Sequence, residues 1–140
     1  MHREFSLFNE ENQPLFDELV SGVRSFNHAH LGTEKAQPLL VCAKDDTGKL
    51  LGGIAGRTIY CQFLIEVLWV DDSCRQSGLG RELMAKAEAA ARERGCIAAQ
   101  VDTLAFQAPG FYQKQGFDII GEVPAIGDSP GRFFLLKRYL

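Results

Sequence analysis

Six consecutive residues, Arg75-Gln76-Ser77-Gly78-Leu79-Gly80, place two glycines one residue apart beside an arginine, where an apolar run gives way to a helical pattern. A helix that starts there leaves its first backbone N–H groups without partners and points the positive end of its dipole outward. Both features attract phosphate, and glycine removes the Cβ atoms that would keep a ligand from the backbone. The dipole contributes about 0.3–1 kcal/mol, so several N–H hydrogen bonds must supply most of the grip on a diphosphate, with Arg75 adding charge. The nucleotide-hydrolase loop Gly-x-x-x-x-Gly-Lys-Ser/Thr is absent, and the dinucleotide fingerprint would need a third glycine where Leu83 stands. A strand-to-helix turn that uses its glycines only for packing stays open on these residues alone.

A second chemical candidate is Glu66, the only carboxylate in the apolar run Phe63 to Val70. An acid on a mostly buried strand needs a reason, and service as a general base is one. Exposure at the sheet surface, or pairing with an arginine, is the other. Cys42, Cys61, Cys74 and Cys96 form no Cys-x-x-Cys pair and have no histidine at ligand spacing, so neither a metal site nor a redox motif is indicated. Lys and Arg number 15 against 18 Asp and Glu, and no basic run is interleaved with aromatics, which argues against nucleic acid as a partner. The first residues hold His2, Arg3 and Glu4 without an apolar stretch, and no apolar run reaches membrane-spanning length. The expectation is a cytoplasmic protein with free thiols and no membrane association.

The elements that must position these groups follow from periodicity. With 140 residues, 46% of them hydrophobic, one packed domain over residues 1–140 is expected. Arg3 to Phe8 reads as a short first strand. Asn12 to Asn27 reads as an amphipathic helix through Leu15, Phe16, Leu19, Val20, Val23 and Phe26, and His28 to Gln37 as a loop or short helix. Leu39 to Ala43 and Leu50 to Ile59 flank the turn residues Asp45 to Gly48, and Phe63 to Val70 forms a central, largely buried strand. From Leu79 the residues Leu83, Met84, Ala87, Ala90 and Ala91 fall on one helical stripe, with Arg81, Glu82, Lys86, Glu88, Arg92 and Glu93 opposite, and Gly95 stops the helix. Ile97 to Leu104 then returns as a strand parallel to the central one, a β-α-β unit. Pro109 to Gln115 is a short helix, and Phe117 to Val123 with Arg132 to Tyr139 make a closing hairpin.

The glycine turn, directly after its strand, resembles the Gln/Arg-x-x-Gly-x-Gly/Ala signature of the GNAT superfamily of N-acetyltransferases. About 30 residues on, Phe106-Gln107-Ala108-Pro109-Gly110-Phe111-Tyr112-Gln113-Lys114-Gln115-Gly116-Phe117 resembles that superfamily's Phe-Tyr-x-Lys-x-Gly-Phe segment. The likeness spans roughly Leu50 to Leu136 and identifies the chain as a small, bacterial-type, single-domain member. It implies an α/β (α+β) fold: a mixed, twisted sheet of six to seven strands with about four helices, the fourth and fifth strands splayed. It implies acetyl-CoA as co-substrate, with the pantetheine arm along Leu68, Trp69 and Val70 and the pyrophosphate at Arg75, Gln76, Ser77, Gly78, Leu79, Gly80 and Arg81. Tyr112 matches the tyrosine that protonates the departing thiolate; its other reading is a core tyrosine. Glu66 resembles the strand glutamate that acts as base, displaced by two residues.

Many relatives carry an asparagine seven residues before that tyrosine, where this chain has Ala105. Gln107 or Thr103 could substitute, or could serve as strand-end or capping residues. The resemblance places the acceptor amine near Phe26, Asn27 and His28, with His30 and Pro124 to Gly131 nearby. It implies a small-molecule or peptidic amine, direct transfer in a ternary complex and a homodimer. A non-catalytic acyl-CoA sensor or partner-binding module is the alternative with the same phosphate turn.

Overall fold

The computed structural model describes residues 1–107 and 109–139. They fall into two compact units, Met1–Glu34 and Lys35–Leu140.

The first unit is built on one helix, α1 (Gln13–Leu31). The Asn12 side chain accepts a hydrogen bond from the Leu15 N–H, Pro14 occupies the first turn where no N–H is needed, and Gly32 at φ 81° ends the helix. Nothing between His28 and Leu31 breaks the chain, so α1 runs four residues past the expected end. His28 and His30 therefore sit in its last turn, where the helix dipole favours positive charge. No residue of α1 is buried. The strand expected over Arg3 to Phe8 is absent: the segment pairs with no other strand, and Phe5, Leu7 and Phe8 are exposed. Alternating Phe5 and Leu7 supplies strand propensity, but a strand exists only where a neighbouring ladder takes its backbone groups.

The second unit is a six-stranded mixed sheet with the order β1-β2-β3-β4-β6-β5. Its strands are β1 (Gln37–Lys44), β2 (Leu50–Ile59), β3 (Gln62–Val70), β4 (Ala98–Leu104), β5 (Asp118–Val123) and β6 (Arg132–Arg138). Two further α-helices, α2 (Leu79–Glu93) and α3 (Pro109–Lys114), and a 3-10 turn at Asp72–Cys74 complete the described residues. All neighbours are antiparallel except β3 and β4, which α2 connects in parallel as the period change predicts.

One face of this sheet is dry. Leu83, Met84, Ala87 and Ala91 of α2 are buried with Leu39, Ile54, Phe63, Ile65, Ala99, Val101 and Leu135 from the strands, and Tyr112 and Phe117 extend that core. Glu88 belongs to it too, although its place in the helical pattern read as polar. Its carboxylate is buried because Lys137 of β6 reaches it at 2.9 Å, and a buried charge is tolerated when paired.

β3 is less buried than its composition suggests. Phe63 and Ile65 point into the core, then a bulge opposite Ala55 and Gly56 puts Glu66 and Val67 both at the surface, and Leu68 and Val70 turn inward again. β3 pairs with β4 through only three residue pairs, Gln62–Ala98, Phe63–Ala99 and Leu64–Gln100. Beyond Leu64 the two strands part, which is the splay expected of the fourth and fifth strands; they are third and fourth here because Arg3 to Phe8 forms none.

Candidate active site

The parting strands open a cleft of about 1060 Å³. All the residues expected to hold the coenzyme line it: Leu68, Trp69 and Val70 on β3, and Arg75 through Arg81 on the turn into α2. Tyr112 lines it as well, together with Phe106, Gln107, Phe111 and Lys114. Along Leu68 to Val70 the backbone is bonded to β2 on one side but to no strand on the other. Its free N–H and C=O groups are therefore available to an extended ligand with amide groups.

The turn into α2 is shaped for an anion. Gln76 and Gly78 both have positive φ, 63° and 89°, and Gly78 is the N-cap of α2 with no side chain to satisfy the first N–H groups. Such backbone makes a concave cluster of N–H donors, and the helix end adds its dipole. A Cβ at Gly78 would force an L-residue into the left-handed region and point it at the Arg81 guanidinium, 3.5 Å away. Gly80 has a different task. A Cβ there would come within 3.2 Å of the Phe111 ring, so this glycine lets α3 approach α2. Packing, one of the two readings of these glycines, thus applies to Gly80, while Gly78 leaves the N-cap of α2 without a side chain.

Around the turn, Ser77 Oγ donates to the Cys74 carbonyl, which ties the loop to the preceding 3-10 turn. Arg75 is held 3.0 Å from Asp72 at the surface. Asp71 ends β3, and its carboxylate accepts from the Ser73 N–H and hydroxyl; those hydrogen bonds hold its pKa below the usual value.

Tyr112 is 7% exposed. Its ring meets Phe111 edge-on at 5.4 Å and Phe117 at 5.7 Å between centroids. Burial, and secondarily the charge of Asp102, raise its pKa above the ordinary phenol value, so it holds its proton throughout the neutral range.

The structure does not bring Glu66 into the cleft lining. Its side chain is 54% exposed and Arg57 Nη1 donates to its Oε1 at 2.6 Å. Its surroundings are solvent and an arginine partner, from which a base could act only through water. The cause is strand alternation: with Phe63 and Ile65 facing the core, Glu66 faces away from it, and the bulge then exposes Val67 as well. Phe26 and Asn27 lie on α1 as expected, and His28, expected in a loop or short helix, lies in its last turn. Gln107 takes the strand-end role: its Oε1 accepts from the Leu104 N–H at 3.0 Å and from Thr103 Oγ1 at 3.3 Å. Arg57 and the Asp102–Arg132 pair escaped the sequence reading. Only sheet register, which the sequence does not print, makes such pairs neighbours.

The cleft fits a coenzyme A thioester: a donor-rich turn without a Cβ at its N-cap, an unpaired strand edge and a protonated phenol lie along one surface. Residues 3–117 match the sequence model of the Acetyltransferase (GNAT) family. The chain is 45% identical over 94 residues to blasticidin-S acetyltransferase of Streptomyces morookaense, covering 64% of this chain and 69% of that protein. It is 29% identical over 130 residues to Acetyltransferase Atu2258 of Agrobacterium fabrum, covering 93% and 92%. Among solved structures, an acetyltransferase from Agrobacterium tumefaciens superposes with a TM-score of 0.90 at 26% identity, covering 98% of this chain and 100% of that one. With a family match over most of its length and the family's fold around the cleft, the chain belongs to the GNAT acetyltransferases, acyltransferases that draw their acetyl group from acetyl-CoA.

Proposed function

We propose that the enzyme transfers the acetyl group directly to the primary amine of a small-molecule or peptidic acceptor, within a ternary complex. The observation that carries this reading is the continuity of one cleft from the N-terminus of α2 to Tyr112 past the unpaired edge of β3. The turn N–H groups, Arg75 and Arg81 hold the diphosphate, and the backbone of Leu68 to Val70 aligns the amide-bearing arm. Acetyl-CoA supplies an activated thioester carbonyl. Tyr112 keeps its proton until sulfur departs and then donates it. Glu66 takes the proton that the acceptor ammonium must lose, through water from its exposed position beside Arg57. Cys74, the only cysteine in the cleft lining, sits at the phosphate turn in contact with Ser73 Oγ at 3.7 Å. That position suits direct transfer better than an acyl-cysteine.

The reading treats residues 1–140 as one acetyltransferase domain working in the cytoplasm, a compartment suited to cysteines that form no disulfide. Acceptor contacts from Phe26, Asn27 and His28 form no part of it, since it rests on the second unit. The similarity to blasticidin-S acetyltransferase puts blasticidin S first among acceptors to try. The test is free-thiol release from acetyl-CoA with blasticidin S and a panel of small and peptidic amines, with the products identified by mass. Acetylated amine supports the proposal. Saturable coenzyme binding with no thiol release across the panel would replace it with a non-catalytic acyl-CoA module.

A further inference from the structure

The strand order β2-β3-β4-β6 carries an order of charge with it. Arg57 of β2 donates to Glu66 of β3, and Arg132 of β6 donates to Asp102 of β4. An arginine and a carboxylate therefore stand on one side of the split, and a carboxylate and an arginine on the other, with both acids innermost. All four residues belong to the second unit.

They also share one face of the sheet. Phe63 and Ile65 of β3 and Ala99 and Val101 of β4 are in the core with α2, so alternation turns Leu64 and Glu66, and Gln100 and Asp102, to the opposite face. Gln100 Nε2 donates to Gln62 Oε1 at 3.1 Å on that face. The rungs pair Gln62 with Ala98 and Leu64 with Gln100, and the same offset, carried two residues past the last rung, brings Glu66 opposite Asp102.

We infer that Asp102 is the acceptor-binding carboxylate: it accepts a hydrogen bond from the ammonium of the incoming amine, on the face of the split turned away from α2 and across from Glu66. This placement rests on the coenzyme reading of the cleft.

Two observations besides the carboxylates point to a ligand there. Tyr112 lines the coenzyme cleft, is 7% exposed, and has a hydroxyl on which burial and the charge of Asp102 act but no hydrogen bond among the described residues. A buried phenol lacking a partner is a group that a ligand completes. Trp69 lies on the same face as Glu66, because Leu68 and Val70 beside it turn to the core, and yet it lines the coenzyme cleft. The split is therefore continuous from the coenzyme side to the carboxylates.

The arginines set how the ammonium is held. A lone carboxylate would bind it well but raise its pKa, and the nitrogen must lose a proton before it attacks. Arg132 occupies Oδ2 of Asp102 and leaves Oδ1 to accept, so the pair orients the ammonium while adding little net charge. The inner position of the acids and the outer position of the guanidinium groups select a cationic amine over an anionic group.

Two thioethers test this role without the natural acceptor. S-(2-aminoethyl)-coenzyme A carries an ammonium near where an attacking nitrogen must stand, and S-propyl-coenzyme A is its neutral analogue of similar size. Calorimetry on the full chain should show the aminoethyl thioether binding about tenfold tighter. Asp102→Asn keeps the side chain's size and an acceptor for Arg132. It should reduce the preference to under about twofold with the affinity for S-propyl-coenzyme A unchanged. Arg132→Gln removes the counter-charge and should widen the preference, a change of opposite sign that lost packing would not produce. Equal binding of the two thioethers by wild type, or a preference that survives Asp102→Asn, would overturn the role of Asp102 and leave the coenzyme site standing. Failure of wild type to bind either thioether would overturn the coenzyme reading and this role together.

Discussion

Replacing Tyr112 by phenylalanine separates chemistry from architecture. The ring packs edge-on against Phe111 and Phe117 and is 7% exposed, and phenylalanine preserves both contacts. Only the hydroxyl is lost, so stability should change by no more than about 1 kcal/mol. Coenzyme affinity should hold, because the turn, Arg75 and the β3 edge are untouched. Turnover should not. A thiolate leaving without a positioned proton donor forfeits a general-acid effect of about 10²- to 10⁴-fold, or roughly 3–5 kcal/mol of barrier. The assay is thiol release under acetyl-CoA and acceptor saturation, beside calorimetric titration of the coenzyme. The pH profile adds a second check. With the phenol pKa raised by burial, then by Asp102, no loss of wild-type rate attributable to Tyr112 should appear below pH ~10. Turnover within about threefold of wild type at unchanged affinity would refute the reasoning. So would a falling limb below pH 9 that the substitution abolishes.

Gly78→Ala places an L-residue at φ 89°, which costs about 1–2 kcal/mol, and narrows the anion turn. The thermal shift induced by acetyl-CoA should shrink in this variant, and an undiminished shift would count against the turn as the diphosphate site. Lys137→Met leaves the Glu88 carboxylate, 8% exposed, buried without its cation. Urea unfolding should register a loss of about 3–5 kcal/mol, most of it recovered by adding Glu88→Leu. Tyr112 and Tyr139 both have raised pKa values, from burial first, then from the charge of Asp102 at Tyr112 and from hydrogen bonding with Glu88 and its charge at Tyr139. Their stabilisation is whole below pH ~10 and declines above it, because the unfolded chain ionises first; Tyr139→Phe should make that decline in denaturant-measured stability shallower.

The β-α-β core was legible because two different periods meet at one glycine turn: β3 alternates or runs apolar, and α2 repeats every three to four residues. The cleft followed, since the turn and the Phe106–Phe117 segment are each contiguous in sequence. What escaped depends on partners the sequence does not order. Arg3 to Phe8 has a strand's composition but no ladder beside it. Exposure or an arginine partner is one of the readings Glu66 allows, but that Arg57 is the partner depends on the pairing of β3 with β2. Glu88 looks like surface until Lys137, 49 residues away, arrives above it. The α1 boundary was missed by four residues because His28 to Leu31 contains no stop signal before Gly32.

Three rungs at one end join β1–β2–β3, backed by α2, to β4–β6–β5, backed in part by α3. Such a sheet is built like a pair of shears, its two halves laddered to one another only as far as Leu64. Whatever seats itself between the blades is also a cross-brace. Hydrogen exchange at Ile65 to Val70 should therefore slow when acetyl-CoA arrives, and the protein's resistance to proteolysis in the cell should rise and fall with the supply of its own donor.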